Sequence, residues 1–349
     1  MEFEGFPFIV GWELTLACNL RCEHCGSTAG APRRRELSLE ESLAICDQLP
    51  NLLVYEVDFT GGEPLLRPDW WQITQRLQEL KIKSKIITNG LLLGEDTVAK
   101  LVDTGVTSVG VSIDGLEGTH DHIRANPGLF RRALAGIERV QKAGIPVTVI
   151  TTVNALNVGQ LSSLHALLQS LGVDYWQFQP IFPMGRAHDC PELTMSESDY
   201  MRLGEYARNR VTLDRQEKPM LLPGDSFGYF TEMDQRQPTW GGCSAGLFLC
   251  GITSDGRVKG CLSMPDELSE GDLRQRDLWD IWFDPEAFRY NRQFTRADIG
   301  PNCQSCAVAE KCRGGCSAMS YACTGTLHND PYCFSSIQQK QLEIGSLHA

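Results

Sequence analysis

The chain has 349 residues, of which 42% are hydrophobic and 22% charged, and a formal net charge of −12. That balance suits an ordinary globular protein of about two domains at roughly 150 residues each, and it excludes disordered, collagen-like and coiled-coil architectures. The acidic excess argues against a dedicated nucleic-acid binder, and no apolar run approaches the ~20 residues that cross a bilayer.

From residue 8 to about 180, strand and helix patterns alternate. Strand-like runs at 9–16, 53–59, 84–88, 108–113, 147–153 and 175–179 are short, apolar and rich in Val, Ile and Phe, as strands covered on both faces should be. Helical patterns lie between them at 39–49, with Ser38 as N-cap, and at 69–80, 97–103, 130–143 and 159–171. Gly105, Gly144 and Gly172 each follow a helical run, where a left-handed C-cap belongs. Repeated βα units with short loops predict the α/β class with right-handed crossovers. Six units are too few for a closed eight-stranded barrel, so a partial (β/α)6 TIM-type barrel is expected over 1–180. A bridging segment follows at 181–240, with a helix at 196–210. Residues 241–335 have short elements dominated by cysteine and read as a small metal-stabilised domain, with a polar C-terminal tail at 336–349. Arg33, Arg34 and Arg35 form a basic cluster that reads as a solvated loop.

The opening residues lack the basic region and apolar stretch of a signal peptide, so a cytoplasmic location is expected. Fourteen cysteines in a long chain without an export signal point to free thiols, and clustered thiolates then read as metal or iron–sulfur ligands. Cys18, Cys22 and Cys25 follow the first strand. Three thiolates on a loop at the carboxyl end of a buried strand can hold a [4Fe–4S] cluster with one iron open to an exogenous ligand. A three-cysteine zinc site completed by His24 is the competing reading.

The CxxxCxxC spacing resembles that of the radical S-adenosylmethionine (SAM) superfamily, with His24 at a position that is often aromatic there. Further markers resemble the family's in chain order. Gly61, Gly62, Glu63 and Pro64 match its GGEP motif, which receives the SAM amino group, and Thr88-Asn89-Gly90 matches a TNG near the adenosine. Ser112 ends the fourth strand and Arg124 lies twelve residues later; the resemblance implies that both contact the ribose or carboxylate of SAM. Each motif is weak alone, but together, each at the carboxyl end of a strand, they are specific.

A second resemblance, to the seven-cysteine SPASM domain, rests on Cys243, Gly256, Cys261, Cys303, Cys306, Cys312, Cys316 and Cys333 over about 240–335. By that resemblance one auxiliary [4Fe–4S] cluster takes Cys243, Cys261 and Cys316, with Cys250 where some members have a fourth ligand. The other takes Cys303, Cys306, Cys312 and Cys333, with Cys323 as an alternative to Cys333. A zinc ribbon over 303–316 competes. Cys46 reads as a core residue and Cys190 falls in the bridge.

The resemblance implies reductive cleavage of SAM to a 5′-deoxyadenosyl radical that abstracts hydrogen from an unactivated C–H bond, with flavodoxin or ferredoxin as electron donor. SPASM architecture implies a ribosomally made precursor peptide that is cross-linked, epimerised, decarboxylated, or shortened by backbone excision to a β-amino acid. Sulfatase-maturing relatives carry an Asp after the cysteine equivalent to Cys261; Leu262 stands here, which disfavours that chemistry. A dehydrogenase of small molecules and a non-catalytic electron carrier are the other classes. Only seventeen residues precede Cys18, so a separate small peptide-recognition protein is an expected partner.

Overall fold

The computed structural model describes residues 5–210, 218–224 and 241–338. Six parallel strands, β1 (Ile9–Thr15), β2 (Glu56–Gly61), β3 (Lys83–Thr88), β4 (Ser108–Ser112), β5 (Val147–Val153) and β6 (Tyr175–Pro180), lie side by side in chain order. Helices α1 (Leu39–Gln48), α2 (Trp70–Glu79), α3 (Glu95–Asp103), α4 (Glu117–Ile123), α5 (Leu129–Lys142) and α6 (Leu161–Ser170) fill the crossovers, and α7 (Glu197–Arg210) follows β6. The expected partial barrel is therefore present. Its core joins Trp12, Phe59, Trp176 and Phe178 to the buried helix faces, among them Ala133, Ile137 and Val140 of α5.

Local chemistry sets the boundaries. Ser38 and Glu41 form a reciprocal capping box that starts α1. Gly105, Gly144 and Gly172 take positive φ after α3, α5 and α6, as expected. The second strand starts at Glu56 rather than at residue 53, because Pro50 opens a 3-10 turn over Leu49–Leu52 that leaves Leu53 left-handed and 65% exposed. Helix α4 has no counterpart in the sequence reading: it is seven residues long and buries only His120 and Ile123, too few for a periodic signal.

The sheet also runs beyond the barrel at both edges, which corrects the expectation that the pattern stops near residue 180. Strand β7 (Met220–Pro223), inside the bridging segment, pairs in parallel with β6. At the other edge β8 (Leu249–Ile252) pairs in parallel with β1, and β9 (Arg257–Lys259) and β10 (Gly271–Asp272) continue the sheet antiparallel. The result is one ten-stranded sheet in the order β10-β9-β8-β1-β2-β3-β4-β5-β6-β7. The cysteine-rich region is thus hydrogen-bonded into the barrel rather than tethered beside it. Most of 211–240, and 339–349 of the expected tail, lie outside the described residues. No helix among the described residues is long and apolar enough to cross a membrane.

Candidate functional site

Strand β1 leads straight into the Cys18–Cys25 loop, which is held by main-chain bonds. Cys18 N–H donates to Gly30 O at 3.1 Å, Gly30 N–H to Leu16 O at 3.1 Å and Glu23 N–H to Ile123 O at 2.9 Å. Arg186, from beyond β6, donates to Cys22 O at 2.8 Å and to Ala29 O at 3.0 Å. The end of β2 passes so close beneath the loop that only glycine fits: a Cβ on Gly61 would lie 2.4 Å from Thr15 O, and one on Gly62 2.1 Å from Ala17 O. This close approach is the physical reason for the double glycine.

Glu63 is fully buried and its carboxylate is occupied. It accepts from Thr88 Oγ1 at 2.9 Å, Asn89 N at 2.8 Å and Leu65 N at 3.1 Å, while burial pushes its pKa up to about 7. It clamps the end of β2 to the end of β3. Pro64 opens the 3-10 turn that follows. Asn89 extends the clamp by donating to Asn19 Oδ1, inside the cysteine loop, at 2.8 Å. Ser112 ends β4, in register with Ile150.

The sequence reading missed Asp114, the hub of the site. Its buried carboxylate takes Arg124 Nε at 2.8 Å and Nη2 at 2.7 Å, His24 Nε2 at 3.1 Å and Thr152 N at 2.9 Å. Two of the guanidinium nitrogens of Arg124 are thereby spent, leaving Nη1 for any ligand. Burial alone would push the Asp114 carboxyl up, but the Arg124 charge and the His24 contacts outweigh it and hold it well below the usual range. In sequence, Asp114 is a single acidic residue two positions after Ser112, with no periodicity or spacing to mark it.

Cys18, Cys22 and Cys25 share an apolar nest with Leu20, Leu91 and Leu129. Burial raises Cys18 and pushes Cys22 up to about 11, and the Arg124 charge opposes the latter shift. Among the described residues the only group with three ligand atoms mutually within 4.8 Å is Glu23, His122 and Glu192. Cys18, Cys22 and Cys25 do not form such a group. His24 is turned to Asp114. Three thiols in an apolar nest, with His24 engaged elsewhere, fit a multi-iron cluster that keeps one iron free of cysteine. When bound, such a cluster with an iron free of cysteine supplies the electron that cleaves the SAM sulfonium.

The second region holds two further thiol groups. Cys316 feels the charges of Cys243 and Cys261, Cys303 those of Cys333 and Cys306, Cys312 those of Cys333 and Cys303, and Cys333 that of Cys306; in each of these four, burial is the largest cause that pushes the thiol pKa up. Cys323 stands with the first group's surroundings, its sulfur 3.7 Å from Met319 Sδ. Cys250 is fully buried in β8 within the main core, and its charged neighbour is Arg292 rather than another thiol. Asp330 lies between the groups, accepting from Tyr332 N at 2.9 Å and Cys316 N at 3.4 Å, with burial pushing its pKa up to about 6. Cys46 is a core residue, as expected.

A cavity of about 420 Å³ joins the two regions at the carboxyl end of the strands. Its walls include His24, Gly61 and Thr152 from the barrel and Lys259, Leu262 and Met264 from the loop carrying Cys261. Arg33 belongs to this wall, which corrects the solvated-loop expectation: it pairs with Glu13 at 2.5 Å and Asp266 at 2.8 Å. Glu36 and Ser254 complete a network across the two regions.

The radical SAM superfamily profile matches residues 12–162, and that of an iron–sulfur cluster-binding domain, SPASM, matches 243–307. The chain is 32% identical to the AdoMet-dependent heme synthase of Methanosarcina barkeri over 94% of this chain and 96% of that one. It is 30% identical to the mycofactocin maturase MftC of Mycobacterium ulcerans, over 90% and 84%. Among solved structures, Streptococcus suis SuiB bound to S-adenosylmethionine superposes with a TM-score of 0.73 at 20% identity, covering 96% of this chain and 78% of that one. This chain belongs to the radical SAM superfamily and carries a C-terminal SPASM domain. It is an enzyme class that uses SAM and [4Fe–4S] clusters, as the motifs implied.

Proposed function

We propose that the chain is a cytoplasmic maturase that cleaves SAM at the cluster held by Cys18, Cys22 and Cys25 and abstracts hydrogen from a ribosomally made precursor peptide. Cross-linking, epimerisation, decarboxylation and backbone excision to a β-amino acid are the outcomes this chemistry allows. The carrying observation is the cavity shared by the cysteine loop and the Cys261 loop. At about 420 Å³ it sits low in the ~300–1,000 Å³ range that holds one drug-sized ligand. A cavity of that size takes a side chain reaching in from a peptide whose remainder stays outside. The named activity of MftC is in keeping with this, as is the fold shared with SuiB, a protein seen bound to its precursor peptide SuiA.

The identity to the heme synthase across nearly its whole length favours a second reading, a small-molecule tetrapyrrole substrate. The cavity is a poor match for a planar macrocycle together with SAM. The deciding experiment incubates anaerobic enzyme, SAM and dithionite with short peptides encoded beside the gene, or with iron coproporphyrin, and follows substrate mass. The peptide reading expects a mass change on peptide alone; a change confined to the porphyrin overturns it. A separate small recognition protein and a flavodoxin or ferredoxin complete the proposed system. Full turnover and tight peptide binding by this chain alone, measured by calorimetry, would remove the recognition partner.

A further inference from the structure

Tyr290 presents a polar group that nothing described so far uses. Its hydroxyl oxygen is buried and has no hydrogen-bond partner among the described residues. Buried hydroxyls almost always have a partner, and an exception calls for a missing atom or ion. The ring packs in the same small cluster as Cys261, Cys316 and Met264. Next to it, Asn291 donates to Cys243 O at 3.3 Å, which places the third thiol of this group beside the same turn. Cys243, Glu270 and Cys261 are charged neighbours of the phenol.

Gly260, directly before Cys261, independently marks where the hydroxyl points. A Cβ there would lie 2.0 Å from Tyr290 Oη. Gly260 does not have a positive φ, so the absence of a side chain serves space rather than backbone conformation. The chain has made room for this hydroxyl at the neck of the Cys261 loop. A phenol O–H in an apolar nest beside thiolates is a hydrogen-bond donor facing acceptors.

We infer that the buried Tyr290 hydroxyl, left without a partner among the described residues, is a hydrogen-bond donor to the iron–sulfur cluster that Cys243, Cys261 and Cys316 would hold, and thereby sets that cluster's reduction potential. The inference rests on those three cysteines being ligands. Hydrogen bonds to ligand sulfurs stabilise the reduced, more negative state of an iron–sulfur cluster and raise its potential. Tyr290 is therefore a positioning and tuning residue of the electron path, not a catalytic one.

The test is a redox titration of anaerobic holoenzyme followed by electron paramagnetic resonance, comparing the parent with Tyr290→Phe. The expected result is unchanged iron content with the midpoint of one cluster moved to lower potential and the other two unmoved. Gly260→Ala, which crowds the hydroxyl out, should move the same midpoint in the same direction. An unchanged set of midpoints in Tyr290→Phe overturns the inference, and so does loss of one cluster's iron, which would make Tyr290 a ligand or a structural prop. Cys316→Ser separates the two failures. If it retains the full iron content, the ligand assignment itself is wrong and the inference falls with it; if it loses one cluster, the Tyr290→Phe result judges the hydrogen bond alone.

Discussion

Replacing Asp114 by Asn should be costly, because it strands a buried guanidinium. Arg124 Nη2 lies 2.7 Å from Asp114 Oδ2, and the two side chains are 8% and 1% exposed. Removing one partner of such a pair costs about 3–5 kcal/mol, because the surviving charge is left uncompensated in a medium that solvates it badly. Thr152 N–H keeps an acceptor in the amide oxygen, so the loss isolates the charge. Equilibrium urea unfolding of the iron-loaded protein, followed anaerobically by tryptophan fluorescence, reads the difference. Asp114→Asn combined with Arg124→Met should recover part of the loss, since neither charge then remains. The carboxyl is held below its ordinary value, so its contribution is complete above the unfolded pKa of about 3.9 and fades as pH falls toward the folded one. The gap between parent and variant should therefore narrow in acid. A single variant within about 1 kcal/mol of the parent at pH 7, or a double variant no more stable than the single, refutes the reasoning.

Anaerobically purified protein should hold about twelve irons, the count for three [4Fe–4S] clusters; a value near four, or zinc in the C-terminal half, by metal analysis contradicts the assignment. Dithionite and SAM should yield 5′-deoxyadenosine by chromatography, and Cys18→Ala, Cys22→Ala or Cys25→Ala should abolish it, whereas Cys303→Ala or Cys306→Ala should keep some SAM cleavage and lose product. Asp58, whose buried Oδ1 has no hydrogen-bond partner among the described residues, is pushed up to about 6 by burial despite Lys85 nearby. The folded state then binds more protons than the unfolded one between about pH 4 and 6, so the parent should lose stability as pH rises across that window. Thermal unfolding of Asp58→Asn should lack this fall, and an equal fall in both proteins would disprove it.

The strands of the barrel were legible because parallel strands covered on both faces are written as short unbroken apolar runs, and β5 was placed to the residue. The cysteine loop, the double glycine and Asn89 were legible because they sit at strand ends with fixed spacing. Asp114, Arg186 and Arg33 were not. Each acts through a partner far away in the chain, Arg186 on Cys22 and Arg33 on Asp266, and a single polar residue in a loop carries no periodicity. Strands β7 and β8 failed for a related reason. Four residues such as Leu249–Ile252 become a strand only because β1 offers an edge, which is a tertiary fact.

That edge fixes how far apart the two cysteine loops stand. Ile9 to Trp12 of β1 are paired one to one with Leu249 to Ile252 of β8. The strand delivering the first cysteine loop and the hairpin delivering Cys261 are thus neighbours in one hydrogen-bonded ladder, about 4.8 Å apart. The separation between the Cys18–Cys25 loop and the Cys261 loop is a property of the sheet, like the spacing of marks on a ruler. It does not depend on two bodies closing around the substrate. The two loops keep the same spacing whatever is bound between them, and the hairpin could not be detached or exchanged without exposing β1 as a bare edge.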